Sequence, residues 1–477
     1  MTIKNKFLAL SLILLISVTG ANASELTEAA NKDWLELVRR YISADKTDKS
    51  DGQGQNLNFL SEWWHELGDN TLTELINDAF ISNRDLSIAR AKVLEARAQL
   101  GLSRENFSPK TELSAGYTNG RNSDMEDPEN KSYNQYTIGF DSSWEIDFFG
   151  KNKHIAQAAK ANLESEYADL NNAWVSLSAE VAVNYITLRV LQNRLDLAQN
   201  DIKASREILD ILNSQYSAGL IDELPVQQAK SELESLSAKI PEISQLINER
   251  INALAILTGQ IPGSINQRLL RHKELPDLDV QKLIGIPAEA LKQRPDIKAA
   301  ERRLASQAQT RKAAEKSLYP VIQLIGSIGL ESMSTGHLFS SGSYTYSIGP
   351  AIKWPIFHIG EIKKNIKVQS AVEEQYLAEL ESVILNAVRE VHDALNANSQ
   401  EFLRGESLNR ALKSAMSALE ISRNKYSQGL SDFSSVLKAQ KDVYLIQDEI
   451  ISSEGQKIIN LIILFKSLGG GWRTLSE

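Results

Sequence analysis

The side chains that could do chemistry are few and scattered. The six histidines, His65, His154, His272, His337, His358 and His392, fall at no spacing that would bring two of them to one metal ion, such as the H-E-x-x-H pattern of a zinc hydrolase. Cysteine is absent, which removes thiolate ligands, thiol nucleophiles and disulfides together. No glycine-rich phosphate loop follows a strand pattern, and no G-x-S-x-G elbow occurs. The neighbouring acids Glu373-Glu374 have the residue types of an acid–base pair but lie in a long helical pattern, where a solvated face is the plainer reading. Trp174 and Tyr185 fall on an apolar seam and read as packing. No enzyme, metal site or cofactor is expected.

What the chain offers instead is uninterrupted length. Lys151 to Ser214 is 64 residues without proline or glycine, which as helix would run roughly 95 Å at about 1.5 Å per residue. Leu163, Tyr167, Leu170, Trp174, Leu177, Val181, Tyr185, Leu188, Leu191, Leu195 and onward to Tyr216 recur in steps of three or four. Steps averaging near 3.5 predict a narrow coiled-coil seam, not a broad buried face. Much of the seam returns 210 positions later, at Leu380, Ala387, Val391, Leu395, Leu408, Leu412, Ala415, Leu419 and Tyr426. Returning helices are expected over Leu224 to Thr258 and Phe433 to Leu468, so each long helix heads a hairpin. The tips fall at Gly219-Leu220 and Gly429-Leu430.

The same offset recurs elsewhere: Trp144-x-Ile146 against Trp354-x-Ile356, Tyr136-x-Ile138-Gly139 against Tyr346-x-Ile348-Gly349, and Gly259 against Gly469. Register held over separate segments means a duplicated structural unit. Within each copy, Tyr136 to Asp147 and Tyr344 to Trp354 alternate apolar or aromatic residues with polar or small ones, the period of a strand. Partner strands are expected at Thr111 to Asn119 and Val321 to Leu330. Ten-residue strands with one aromatic face fit a lipid-out, water-in barrel. Four strands cannot close one, since at least eight are needed, so several chains must combine.

Lys4 and Lys6, the 12-residue apolar run Phe7 to Val18 and Ala21-Asn22-Ala23 predict a secretory signal cleaved between Ala23 and Ser24. A spanning helix would need about 20 apolar residues. Losing two lysines moves the formal charge from −9 to −11, and so acidic a chain without a basic run excludes nucleic acid as a partner.

Several ordered motifs resemble the outer-membrane efflux channels of the TolC superfamily, in the NodT/OprM-like branch. They are Trp63-Trp64, Asn83-Arg84-Asp85-Leu86 with Glu95-Ala96-Arg97-Ala98, Glu145 to Lys151, Gln293-Arg294-Pro295-Asp296-Ile297 with Ala300 to Leu304, Trp354-Pro355-Ile356-Phe357, and Leu468-Gly469-Gly470-Gly471-Trp472. The resemblance implies a mainly α fold with a small β part. Two repeats of long coiled-coil hairpins would form a periplasmic α-barrel, and four strands per chain a trimeric 12-stranded barrel among outer-membrane lipids. It also implies a homotrimer, a periplasmic adaptor and an inner-membrane pump of the RND type, with drug or small-molecule efflux as the function. Metal efflux and type I protein secretion share this architecture. A surface coiled-coil fibre would explain the heptads but not the strands. Expected boundaries are a signal at 1–23, an extended segment at 24–69, repeats at 70–262 and 287–472 around a 263–286 linker, and a tail at 473–477.

By the resemblance, the adaptor docks at the tips Gly219, Leu220, Gly429 and Leu430, and the gate lies at Ser434, Ser435 and Lys438. Two departures stand out. Where relatives carry a lipidated cysteine after the signal, this chain has Ser24, so no acyl anchor is expected. Where relatives commonly place an aspartate before an Ala-Gln pair, it reads Val436-Leu437-Lys438-Ala439-Gln440. That exchanges an expected ring of carboxylates for a ring of ammonium groups, or else leaves Lys438 on a solvated outer face.

Overall fold

The computed structural model describes residues 61–121, 132–270, 275–276, 291 and 293–471. The expected signal with its Ala23/Ser24 junction, most of the 24–69 segment and of the linker, and the tail lie outside the described residues. A 3-10 turn at Trp63–Leu67 leads into α1 (Asn70–Ser82) and α2 (Arg84–Glu105). The first repeat continues as β1 (Lys110–Gly120), β2 (Tyr133–Ile146), α3 (Lys151–Ser217) and α4 (Leu224–Leu257). After a short α5 (Asn266–Leu269) the order recurs: α6 (Pro295–Lys316), β3 (Val321–Ser332), β4 (Tyr344–Lys353), α7 (Ile359–Ser427) and α8 (Phe433–Ser467). The class is the expected one, mostly helical with one small sheet. Packing divides the chain into two units, one of 1–89, 169–297 and 383–477, the other of 90–168 and 298–382.

The second unit holds the sheet, antiparallel throughout in the order β1-β2-β3-β4, so its two edges are β1 and β4. Its faces differ as the alternation predicts. One carries the row Leu113, Phe140, Ile328 and Tyr346, aligned across all four strands and all exposed in the single chain. The other carries Glu112, Asp141, Ser327 and Ser347. On the polar face the middle strands lie close together. A Cβ added at Gly139 would come within 2.8 Å of the Ile328 carbonyl, and one at Gly329 within 2.6 Å of the Ile138 carbonyl. Glycine is what permits this close approach. The duplicated tryptophans finish the helix-attached end: Trp144 Nε1 donates to the Phe107 carbonyl at 2.8 Å and Trp354 Nε1 to the Leu318 carbonyl at 3.2 Å. Asp147 accepts from the Asn152 and Lys153 amides at 3.0 and 2.8 Å, so its carboxylate caps the first turn of α3. Glu373, half of the acid pair, is ion-paired with Arg311 and is not a free solvated group.

In the first unit each repeat is latched where it begins and ends. Asn83 Nδ2 donates to the Leu257 carbonyl at 3.0 Å, and its counterpart Arg294 donates to the Ser467 carbonyl at 2.5 Å. Both bonds take up carbonyls that a helix end leaves without partners. Arg294 also makes a bidentate pair with Asp296 and reaches Glu390 at 2.8 Å, which is the structural content of the Gln-Arg-Pro-Asp motif. Just beyond, Gly259 and Gly469 turn the chain with φ of 69° and 76°. An added Cβ at Gly259 would overlap the Ser82 carbonyl, whereas Gly219 has the same φ region but open space around it. Gly259→Ala should therefore lose about 1–3 kcal/mol more than Gly219→Ala, read as the difference in their thermal unfolding in detergent. Equal losses would remove the close approach.

One expectation is corrected here. Along its middle, α3 is buried on a broad face and not on a narrow seam: Trp174, Val175, Leu177, Ala179, Val181, Ala182, Tyr185, Ile186 and Leu188 are all buried. The reason is an inner layer that no periodicity announces. Phe80 of α1 stacks on Trp174 at 5.7 Å, Trp64 meets Phe80 edge-on, and Trp63 stacks on Phe465 at 5.3 Å. Arg189 is buried beside them, donating to Gln192 at 2.6 Å and to the Leu269 carbonyl at 3.3 Å. Tyr185 hydrogen-bonds Asp69, and burial followed by that bond pushes its hydroxyl up to about 12. Pro241 sits inside α4 without ending it; it lies on the exposed face, where the lost backbone donor leaves a carbonyl open to water.

Candidate channel gate and hairpin tips

Both hairpin tips are built by one device. Gly219 (φ 71°) and Gly429 (φ 72°) enter the left-handed region that ends a helix. The next amides fold back six-to-one, Leu220 N to the Gln215 carbonyl and Leu430 N to the Lys425 carbonyl, each at 2.9 Å. A Schellman turn leaves the following side chain outside, and Leu220 and Leu430 are 74% and 71% exposed. Both leucines are thus held in water on tight turns within the single chain.

Above the tips the two hairpins share a small core of Leu212, Val226, Ala229, Phe433 and Val436. Tyr426 meets Phe433 edge-to-face at 5.2 Å. A cleft of about 180 Å³ opens beside it, lined by Ile208, Ile211, Leu212, Gln215, Arg423, Tyr426, Phe433 and Val436. This cleft was not foreseen. Its one sequence signal is that Phe433 breaks the repeat, standing where the first copy has Glu223.

The three residues expected at the gate, Ser434, Ser435 and Lys438, fall on one side of α8. Val436 and Gln440 are buried, and Lys438 lies two residues from each, about 200° round the helix at 100° per residue. Ser434 and Ser435, at four and three residues before it, share its face, and all three side chains are exposed. Lys441 and Asp442 continue that face, leaving one net positive charge. Gln440 points inward, with Nε2 at 3.5 Å from both Asp201 Oδ1 and Ser205 Oγ of α3. Burial raises the Asp201 carboxyl above its ordinary range, against the pull of the Gln440 hydrogen bond. One turn pair further on, Arg194 and Asp448 form a bidentate ion pair at 2.7 and 2.9 Å.

The long α7 behaves differently from α3. Ala387, Val391 and Ala394 are buried, but Phe402, Leu403, Met416 and Ile421 are exposed. The seam residues Leu395, Leu408, Leu412, Ala415, Leu419 and Tyr426 are themselves only half-buried within one chain.

Comparison with known proteins agrees with this geometry. The outer membrane efflux protein family matches residues 75–260 and again 286–470, once per repeat. The chain is 28% identical over 410 residues to the probable outer membrane lipoprotein SilC of Salmonella typhimurium, covering 86% of this chain and 88% of that one. It is 28% identical over 418 residues to the toluene efflux pump outer membrane protein TtgF of Pseudomonas putida, covering 87% and 86%. Among solved structures, the outer-membrane channel OprN superposes with a TM-score of 0.82 at 27% identity, over 90% of this chain and 99% of that chain. With the family match repeated on both halves of a duplicated chain, and a sheet and hairpins of the matching channel fold, this protein belongs to the outer membrane efflux protein family.

Proposed function

We propose that three copies form the outer-membrane exit duct of a tripartite efflux system, passing small molecules from an RND-type inner-membrane pump and a periplasmic adaptor to the exterior. The observation that carries this reading is the four-stranded sheet with β1 and β4 both left as edges, apolar on one face and polar on the other. Three such sheets joined edge to edge make twelve strands, enough to close around water. In the same reading the hairpins close the periplasmic end. Leu220 and Leu430 offer the adaptor two apolar contacts per chain, and Ser434, Ser435 and Lys438 face the narrowed lumen. Transport is passive, driven by the pump. The likeness to TtgF, a toluene efflux pump protein, favours small apolar solutes over exported proteins.

The test is energised export of a fluorescent dye from a strain lacking this gene but keeping its pump and adaptor. Dye export lost on deletion and restored by the gene in trans is expected; unchanged export with the gene deleted would overturn the reading. Anchoring follows from composition. With no cysteine available for acylation, the mature protein should fractionate with the outer membrane at its unmodified mass. One bound diacylglyceryl or palmitoyl group in the intact-mass spectrum would refute this.

A further inference from the structure

The strand register brings two carboxylates face to face on the polar side of the sheet. On the polar face, Glu112 stands directly opposite Asp141, and the row continues through Ser327 to Ser347. Like charges facing each other across an antiparallel pair are destabilising, so the sheet alone gives no reason for this pairing. The Asp141 carboxylate is also held in place, accepting from Ser114 Oγ at 2.7 Å. The rest of the row cannot neutralise it, because Ser327 and Ser347 bond each other through their hydroxyls at 2.9 Å. The next row towards the loops, Ser114, Gly139, Gly329 and Thr345, is uncharged and small, leaving the carboxylates unshielded from that side. Beyond it the face carries Glu331. The only lysines or arginines in the strands are Lys110 and Lys353, both at the helix-attached ends. Four carboxylates (Glu112, Asp141, Glu145 and Glu331) against two lysines leave this face at −2 per chain.

We propose that Glu112 and Asp141 are specificity-determining residues of the exit, forming a collar that favours cationic organic solutes and metal cations over anions. The inference rests on the trimeric duct proposed above, in which the collar holds six carboxylates at one level. A low-dielectric wall lined by one sign of charge concentrates counter-ions by about tenfold or more. The collar acts after the gate, so the sign of the charge at Lys438 does not determine it.

The test reads the local potential without passing through the gate. The chain has no cysteine, so Ser347→Cys places the only thiol at the level of the collar. Cationic and anionic methanethiosulfonate reagents are added from outside to intact cells, and their rates are compared with those for a free thiol. A cationic preference of about tenfold is expected at low salt, falling towards the free-thiol ratio in 1 M salt, where the Debye length is about 3 Å. Adding Glu112→Gln and Asp141→Asn should abolish the preference while labelling continues. A preference unchanged by the double substitution would overturn the collar and leave the duct standing. No labelling by either reagent would overturn the duct and the collar with it.

Discussion

Phe140→Arg is expected to remove the protein from the outer membrane. Phe140 lies midway along β2 in the apolar row with Leu113, Ile328 and Tyr346. An arginine at the midplane of the lipid face costs about 2–4 kcal/mol, and a trimer would bear it three times, or about 6–12 kcal/mol for the assembly. That is comparable with the whole stability of an ordinary domain, about 5–15 kcal/mol. The control is Thr137→Arg, three positions earlier on the opposite face, where the new charge meets Glu331 across the strand pair and a glycine, Gly116, on the other side. It should insert normally. Heat-modifiable mobility of the membrane fraction on gels decides: the Phe140→Arg band should be missing and the Thr137→Arg band present. Equal insertion of both would dissolve the assignment of faces, and the reverse pattern would turn the barrel inside out.

Lys438→Asp should produce the second large effect. If three copies bring Lys438 to one ring, the substitution swings that ring by six charges, in the narrowest water of the path. Purified protein in a planar bilayer should then shift its reversal potential in a salt gradient towards cation preference, by several-fold in permeability ratio and more strongly at low salt. Lys438→Gln should lie between the two. The alternative is that the face shared by Ser434, Ser435 and Lys438 looks outward to bulk water, where an exposed charge does little. Three proteins of identical selectivity and conductance would establish that alternative.

Much of this molecule is legible in its sequence because the physics is local. A long run without breakers became α3, alternation became β2 and β4, and the glycines at 219 and 429 mark both tips because a left-handed residue is needed to end a helix and turn the chain. What stayed illegible depends on partners distant in the chain. Nothing near Trp174 says that Phe80 will cover it, so a seam was expected where a broad face is buried. The Gln-Arg-Pro-Asp motif was visible, but its use was not, since the Ser467 carbonyl that Arg294 holds is 173 residues away. The tip cleft beside Phe433 escaped notice because the repeat suggested symmetry where the copies differ. Whether Lys438 faces a lumen depends, in the proposed trimer, on other copies of the chain, which no single-chain periodicity encodes.

Three copies around one water-filled lumen are most directly tested by counting them during conduction. In a chain free of cysteine, Thr345→Cys places a thiol on the polar face of β4 and Tyr346→Cys places one on the apolar face. Each channel is held in a planar bilayer while a bulky charged methanethiosulfonate reagent is added from the loop side. The trimeric duct predicts three discrete downward conductance steps for Thr345→Cys and none for Tyr346→Cys. A single step, an undiminished current in Thr345→Cys, or equal block of both variants would contradict it.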